Sequence, residues 1–108
     1  MNPQLFSVLS EKNRLDIVEL LRTGAKPVNE ISVRLKLKQP QVSKHLRVLA
    51  DAGIVEVRPL AQQHFYQLHP KPFKELETWL ERYKTVWHYR LDRLETLLKK
   101  EVKHHGRK

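Results

Sequence analysis

The chain has 108 residues, of which 21 are Lys or Arg and 12 are Asp or Glu, so its formal net charge at pH 7 is +9. Such a positive charge on one small domain predicts a polyanionic partner, and nucleic acid is the commonest. The absence of cysteine excludes disulfide scaffolds, thiolate zinc sites and cysteine nucleophiles.

The N-terminal segment does not have the pattern of a signal peptide, because charged side chains interrupt it at Glu11, Lys12, Arg14 and Asp16. No stretch of the sequence reaches the roughly 20 apolar residues of a membrane span. We therefore expect a soluble protein of the cytoplasm.

Three short helices are predicted at the start of the chain. The first follows Pro3 and carries an apolar cluster at residues 5–9. The second is expected to have Ser10 as its cap and Gly24 as its stop. The third follows Pro27, with Asn29 near its start as the expected cap.

A fourth helix is predicted from Gln39 to near Gly53, with Val42, Leu46 and Leu49 on one face. Only two or three residues separate it from the third helix. Two short helices joined by so tight a turn form a helix-turn-helix.

The pattern then changes period. Residues 55–58 alternate between apolar and charged, and residues 65–68 contain the aromatics typical of strands, so a β-hairpin with a loop at residues 60–64 is expected. Such a hairpin is the wing of a winged helix-turn-helix. Residues 69–72, His-Pro-Lys-Pro, are expected to form a rigid break.

One long helix is predicted after the break, because residues 73–102 contain neither Pro nor Gly. It would be about 45 Å long. Its apolar residues follow an eleven-residue repeat, which predicts a nearly straight helix packed in a bundle. The apolar positions are Leu76, Leu80, Tyr83, Trp87, Leu91, Leu94 and Leu98, widened by Trp79, Val86, Tyr89 and Leu97.

The predicted fold is therefore mostly α with a small β-hairpin: a winged helix-turn-helix with a long C-terminal dimerisation helix. We expect the winged domain at residues 1–70, the long helix of the same fold at 71–102, and a basic, frayed tail at 103–108.

Charge is concentrated around the fourth helix, where residues 31–50 include five basic side chains and no acidic one. The helix face opposite its apolar residues is polar and basic. Gln can pair with adenine, Arg or Lys with guanine, and a helix N-terminus can hold a phosphate. These features favour binding in a DNA major groove.

The sequence here resembles a known family. Gln-Pro-x-Val-Ser-Lys-His-Leu at residues 39–46, followed by Ala-Gly-Ile-Val at 52–55, is similar to the recognition-helix signature of the ArsR family of bacterial winged-helix repressors. The resemblance extends over nearly the whole chain, and the long terminal helix resembles that of a metal-free branch. It implies a homodimeric transcriptional repressor that binds a palindromic operator.

The resemblance also implies the DNA-binding residues. Gln39, Ser43 and Lys44 come first, followed by Gln41, His45 and Arg47. Pro40 and Lys38 complete the set on this helix, although Lys38 replaces the Ser or Thr cap common in the family. The wing adds Arg58, Gln62 and Gln63 as weaker candidates, because its tip lacks the usual glycine and arginines.

The long helix predicts self-association, because the winged domain is too small to cover the whole of its apolar face. A symmetric dimer would place two recognition helices about 34 Å apart, one turn of DNA. The expected interface residues are Leu5, Phe6, Leu9, Trp79, Leu80, Tyr83, Trp87, Leu91, Leu94 and Leu98.

Members of this family commonly sense metals through Asp and His side chains. His88 and Asp92 are spaced i, i+4, and His104 and His105 follow in the tail, but this set falls short of a tetrahedral site unless a partner chain completes it. We predict no metal and no other cofactor, and the sequence identifies no inducing ligand or partner protein.

Other function classes fit less well. We predict no enzyme, since the sequence has no phosphate-binding glycine loop, Ser-based elbow or HExxH motif. A winged-helix module for protein contacts would favour an acidic or apolar recognition face. A nonspecific nucleic-acid-binding protein would show no sequence preference and a steep dependence on salt.

Overall fold

The computed structural model describes residues 3–105, and their side chains as far as residue 100. The chain divides into two compact units, Met1–Lys74 and Glu75–Lys108. We call the first the winged unit and the second the helical unit.

The elements follow one another in the predicted order. The helices are α1 (Gln4–Leu9), α2 (Lys12–Leu21), α3 (Val28–Leu35), α4 (Gln39–Asp51) and α5 (Pro70–His105), and the strands are β1 (Lys26–Pro27), β2 (Val55–Leu60) and β3 (Gln63–Leu68). The predicted fold class is confirmed. The structure adds β1, which completes a three-stranded antiparallel sheet of order β1-β3-β2.

The core of the winged unit is formed by apolar residues at helical spacing. Val42, Leu46 and Leu49 of α4 are completely buried, and so are Ile17 of α2 and Ile31 of α3. Residues three and four apart share one helix face, so each helix directs one apolar stripe inward. This packing fixes the orientation of α4 and leaves its other face to solvent.

Two helix caps differ from the expected ones. Glu11, not Ser10, caps α2: its carboxylate Oε2 accepts a hydrogen bond from the backbone N–H of Arg14 at 2.9 Å. The Ser10 hydroxyl instead donates to the Ser7 carbonyl at 2.7 Å, closing α1. Asn29 does not cap α3, because pairing of Pro27 in β1 makes Pro27 the residue that precedes the helix.

The turn between α3 and α4 is held by backbone geometry. Lys36 has a left-handed conformation with φ of 56°, and the N–H of Leu37 donates to the Ser32 carbonyl at 3.1 Å. The Ser32 hydroxyl donates back to the Leu37 carbonyl. The first bond satisfies a carbonyl in the last turn of α3, and the two together hold the turn that leads into α4.

The hairpin is longer and its turn is tighter than expected. Leu60 pairs with Gln63, and Pro59 pairs with His64, so the connection is the two residues Ala61 and Gln62. The expected loop at residues 60–64 is therefore wrong. Pro59 lies within β2, because β2 is an edge strand and a missing N–H is tolerated there.

Residues 69–72 do not form the expected break, since α5 begins at Pro70 and contains Pro72 in its first turn. Proline is tolerated at this position because the first N–H groups of a helix have no partner within it. The helix has 36 residues. Residues 103–105 of the predicted tail are helical, and residues 106–108 lie outside the described residues.

Membrane insertion through a helix is not supported by any described segment. Even α5, the longest helix, falls below the apolar character that crossing a bilayer requires.

Candidate nucleic-acid interface

The solvent face of α4 brings together most of the residues predicted to bind DNA. Gln39, Pro40, Gln41, Ser43, Lys44 and Arg47 are all exposed, and Lys38 is exposed immediately before the helix. Val42, Leu46 and Leu49 of the same helix are buried. The helix is thus divided into an anchored face and a polar, basic face, as its spacing predicts. We call this exposed set the α4 face.

Four cations at or near the α4 face form no ion pair with a carboxylate in the described part of the chain. Within the described residues, no salt bridge involves Lys36, Lys38, Lys44 or Arg47, whereas Arg34 on α3 pairs with Glu30 at 3.3 Å. A cation that is already paired must give up that interaction before it can bind a phosphate. The four unpaired cations are available to a polyanion without that cost.

Lys36 was missed among the site residues predicted from sequence. It is exposed and lies in the left-handed turn that precedes α4. The signal was present in the run of basic residues around the fourth helix, but Lys36 lies outside the motif that carries the family resemblance.

His45 is placed differently from its neighbours on α4. Its side chain is only 17% exposed, and its Nδ1 lies 3.8 Å from Oε2 of Glu11. Nδ1 is buried and has no hydrogen-bond partner in the described part of the chain. His45 therefore contributes to the contact between α4 and the start of α2, while the other predicted residues of α4 face solvent.

Glu11 connects these two helices electrostatically. The hydrogen bond from the Arg14 backbone N–H lowers the pKa of the Glu11 carboxyl below its usual value, and the nearby His45 acts in the same direction. The carboxylate form is favoured at neutral pH, where it both caps α2 and faces the imidazole of α4. No sequence signal predicts this contact, because its two residues are far apart in the chain.

The N-terminus of α4 is closed by Gln41. The backbone N–H of Lys38 donates to Oε1 of Gln41 at 3.2 Å, and the backbone N–H of Gln41 donates to the Lys38 carbonyl at 3.0 Å. A lysine side chain has only donors, so Lys38 cannot supply the cap that a serine or threonine would. The departure from the family pattern at Lys38 is thus offset in part by Gln41.

The wing presents its three candidate residues to solvent. Arg58 lies on β2 opposite Phe65, Gln62 lies in the turn, and Gln63 begins β3. Arg58 and Gln63 share one face of the hairpin, since side chains alternate along each strand.

The residues predicted to form a dimer interface differ in exposure. Leu5 is buried and Leu9 is half-buried in the single chain, whereas Phe6 is 46% exposed. On α5 the residues are largely exposed; the values are Leu80 47%, Tyr83 49%, Trp87 60%, Leu91 53%, Leu94 52% and Leu98 53%. Trp79 is half-buried, and its ring lies 4.8 Å from that of Tyr83.

His88 and Asp92 lie on the exposed surface of α5. Within the described part of the chain, no three His, Cys, Asp or Glu side chains come close enough together to hold a metal ion. The side chains of His104 and His105 lie outside the described residues.

Comparison with known proteins identifies the family. Residues 11–57, which span α2 to the start of β2, match the family model described as "Bacterial regulatory protein, arsR family". The HTH-type transcriptional regulator Rv2034 of Mycobacterium tuberculosis is 38% identical over 80 residues, which cover 74% of this chain and 75% of that protein. This chain belongs to the ArsR family. The resemblance found in the sequence is confirmed.

Other ArsR-family relatives show the range of regulation. The arsenic resistance transcriptional regulator ArsR1 of Pseudomonas putida is 35% identical over 80 residues. These cover 73% of this chain and 59% of that protein. The transcriptional activator HlyU of Vibrio cholerae is 35% identical over 72% of each chain. Membership of the family gives the general function: this ArsR-family protein is a DNA-binding transcriptional regulator.

Solved structures agree with the winged-helix fold of this ArsR-family chain. Reduced HlyU from Vibrio cholerae superposes with a TM-score of 0.62 at 34% identity, covering 73% of this chain and 83% of that one. A winged helix-turn-helix domain from Mycobacterium bovis, described as homodimeric, shares the fold with a TM-score of 0.61 at 23% identity, over 72% of each chain.

Proposed function

We propose that this protein is a homodimeric, sequence-specific transcriptional repressor that binds a palindromic operator through the helix at about residues 39–52. The observation that carries the proposal is the α4 face. It combines exposed amide, hydroxyl and cationic side chains on a helix whose opposite face is completely buried. A rigid helix of this kind fits the major groove of DNA.

Each group on the α4 face has a role in this proposal. The amide of Gln39 and the guanidinium of Arg47 offer hydrogen bonds to base edges. Lys44, Lys38 and Ser43 offer contacts to backbone phosphates, which set the position of the protein on the duplex. The wing residues supply further contacts to the DNA backbone or the minor groove. His45 packs against the start of α2 and so helps to hold α4 in place.

Dimerisation is supported by the exposed apolar residues of α5. Isolated exposed apolar residues are common, but a continuous stripe along one helix is typical of an interaction surface. A second copy of the chain offers an identical stripe, and a two-fold dimer would match the symmetry of a palindromic operator. The fold shared with the homodimeric domain from Mycobacterium bovis agrees with this arrangement.

Repression, rather than activation, is the simplest consequence of operator binding. A dimer seated across a promoter blocks transcription without any further contact. Relatives include the biofilm growth-associated repressor of Agrobacterium fabrum, 39% identical over 64 residues. On this proposal the protein acts on the nucleoid in the cytoplasm.

The proposal is tested by selecting bound sequences from a random duplex pool at about 150 mM salt. An inverted repeat with half-sites about one helical turn apart is the expected result. Recovery of no motif, with binding that vanishes as salt rises, would instead show a nonspecific nucleic-acid-binding protein.

Substitutions on the α4 face then test the assignment of residues. Arg47→Ala should weaken binding to the selected operator by about 1–3 kcal/mol and relax one base position, because Arg47 is assigned to a base edge. Lys44→Ala should weaken binding to all sequences and reduce the salt slope by about 1, because Lys44 is assigned to a backbone phosphate. Lys12→Ala, on the exposed surface of α2, is the matched control. Unchanged affinity in both α4 variants would contradict the proposal.

A further inference from the structure

The imidazole of His45 lies between the protein interior and the surface. Its Nδ1 is buried, has no hydrogen-bond partner in the described residues, and lies 3.8 Å from Oε2 of Glu11. Nε2 is not buried in this way, and the side chain is 17% exposed. One edge of the ring therefore faces a carboxylate, while the other edge is accessible to solvent.

The position of His45 on α4 directs its accessible edge towards a DNA backbone. At about 100° per residue, His45 lies about 60° from Val42 around the helix axis, between the buried residues and the α4 face. The major groove is about 12 Å wide and a helix with its side chains is about 10–12 Å across, so the flanks of a helix in the groove lie against the phosphates. A side chain on this flank is placed for a phosphate rather than for a base edge.

Glu11 is the carboxylate that faces the imidazole. Its Oε2 accepts the backbone N–H of Arg14 at 2.9 Å, and this bond lowers the pKa of Glu11 below its usual value. Glu11 is therefore ionised at neutral pH and presents a negative charge to Nδ1.

The other charged groups on the elements packed against α4 are engaged elsewhere or exposed. The remaining paired carboxylates of α2, α3 and β2 are Asp16 with Lys12, Glu19 with Arg22, Glu30 with Arg34, and Glu56 with Gln67. Arg14 donates from Nε to the Val8 carbonyl at 2.7 Å. The exposed cations of α4 and β2 are Lys44, Arg47 and Arg58. In the described residues, the carboxylate that lies within ion-pair distance of His45 is that of Glu11.

A neutral imidazole cannot satisfy a carboxylate and a phosphate at once. It has one N–H and one lone pair, whereas an ionised carboxylate and a phosphodiester only accept hydrogen bonds. With its proton on Nδ1, the ring turns a lone pair towards the phosphate; with its proton on Nε2, it turns a lone pair towards Glu11. Only the imidazolium donates from both nitrogens.

We propose that His45 binds a backbone phosphate through Nε2 in its protonated form, and that the protein takes up this proton from solvent as it binds DNA. Glu11 is a positioning residue, because its carboxylate favours the proton on Nδ1. The inference rests on the proposed function, since it concerns how α4 meets DNA.

The sign of the pH dependence follows from the proton uptake. The protonated form is favoured in the complex, so the contribution to affinity is fully present below the range in which the free protein titrates. It is lost as pH rises through the higher range of the complex. Histidine ordinarily titrates near pH 6.5, so affinity should fall between mildly acidic and mildly alkaline pH.

The test measures affinity for the operator recovered from the random pool, from about pH 5.5 to 8.5, a range that brackets histidine titration. Calorimetry in two buffers of different ionisation enthalpy counts the protons taken up. His45→Gln keeps an amide donor for the phosphate but cannot be protonated. Glu11→Gln keeps an oxygen for the Arg14 N–H but removes the charge that faces Nδ1.

Two control variants remove the same kinds of group elsewhere. His88→Gln removes an exposed histidine of α5, and Glu19→Gln removes an exposed carboxylate of α2. Both should follow the wild-type pH profile. Circular dichroism at each pH shows that the compared proteins are folded.

The expected result is a wild-type affinity that falls with pH by roughly 10-fold for each half-site, the value of one hydrogen bond to a charged group. Calorimetry should count up to about one proton per chain at a pH between the two titration ranges. His45→Gln should show neither effect, and its selected motif should be unchanged because a phosphate contact carries no base preference. In Glu11→Gln the loss of affinity should move to lower pH.

Three outcomes would overturn the inference while leaving the proposed function intact. The first is a wild-type pH profile and proton count that His45→Gln reproduces. The second is a loss of affinity in His45→Gln that is equal at every pH, as a purely structural support of α4 would give. The third is a Glu11→Gln profile that superimposes on that of wild type. A wild-type pool without any motif would overturn the proposed function and this inference with it.

Discussion

The winged unit and the helical unit use the same apolar spacing with opposite results. In the winged unit, Ile17, Ile31 and Leu46 are each 0% exposed. In the helical unit, no residue from 75 to 100 is buried, and Trp87 remains 60% exposed. The winged unit therefore completes a core within one chain, whereas the helical unit leaves an apolar stripe exposed to solvent. On the proposed function, this difference separates the residues that fold the protein from the residues that assemble it.

Truncating one leucine in each unit tests this difference with the largest expected effect. Leu46→Ala should lower the free energy of unfolding by about 2–5 kcal/mol, because it leaves a cavity at a completely buried site. Leu91→Ala, at a site 53% exposed, should change it by less than about 0.5 kcal/mol at concentrations where the chain is monomeric. Urea unfolding followed by circular dichroism measures both. Equal losses would contradict the distinction between the units.

A charge on the stripe of α5 should prevent assembly without unfolding the winged unit. Trp87→Glu places a carboxylate where the proposed dimer excludes water, so sedimentation velocity should show monomers. Thr85→Glu, on another face of the same helix, is the matched control and should leave the dimer intact. A Trp87→Glu protein that still sediments as a dimer would refute the assigned interface.

Relief of backbone strain in the wing should have a smaller effect. Ala61 has φ of 56°, a conformation that costs a residue with a side chain more than it costs glycine. Ala61→Gly should stabilise the winged unit by up to about 1 kcal/mol, reduced by the greater freedom of glycine in the unfolded chain. Thermal unfolding detects the gain. A clear loss of stability would show that Ala61 is not strained in solution.

The smallest predicted effect is a change in how the free energy of unfolding depends on pH when Glu11 is replaced. The backbone N–H groups of Arg14 and then Asn13, followed by His45, hold the pKa of Glu11 below its usual value in the folded state. The stabilisation is therefore present above the ordinary glutamate pKa and is lost as pH falls through the lowered one. Glu11→Gln keeps an oxygen for the Arg14 N–H but removes the charge.

Glu11→Gln should accordingly be less stable than wild type at neutral pH, with the difference shrinking in acid. Unfolding midpoints measured from neutral to acidic pH provide the comparison. Glu77→Gln, on the exposed surface of α5, controls for the loss of one negative charge. A stability difference that stays constant with pH would argue against the role of the carboxylate.

Local patterns in the sequence were sufficient for the order of the helices and for the α4 face, but not for the helix caps or the start of α5. The spacing of Val42, Leu46 and Leu49 determines which side of α4 is buried, and therefore which polar residues are exposed. Charge counting around this helix indicated the same surface. These features depend on residues close together in the chain, which is why they could be predicted.

Features that depend on distant pairing were missed. β1 is only two residues long, and it is a strand because Lys26 and Pro27 pair with Tyr66 and Phe65. The contact between Glu11 and His45 joins two helices in the same way. The hydrogen bond of Gln41 is local, but it depends on the rotamer that replaces a missing cap, and residue type alone does not specify that choice.

The proposed roles of the two units, DNA binding by the winged unit and dimerisation by the helical unit, are tested most directly by measuring affinity for a full inverted repeat and for a single half-site. Wild type should bind the full operator about 10²- to 10⁴-fold more tightly than the half-site, because two linked α4 faces bind together. Trp87→Glu should bind both duplexes equally, with the half-site affinity of wild type. A Trp87→Glu protein that keeps the preference for the full operator, or that loses half-site binding as well, would contradict the account.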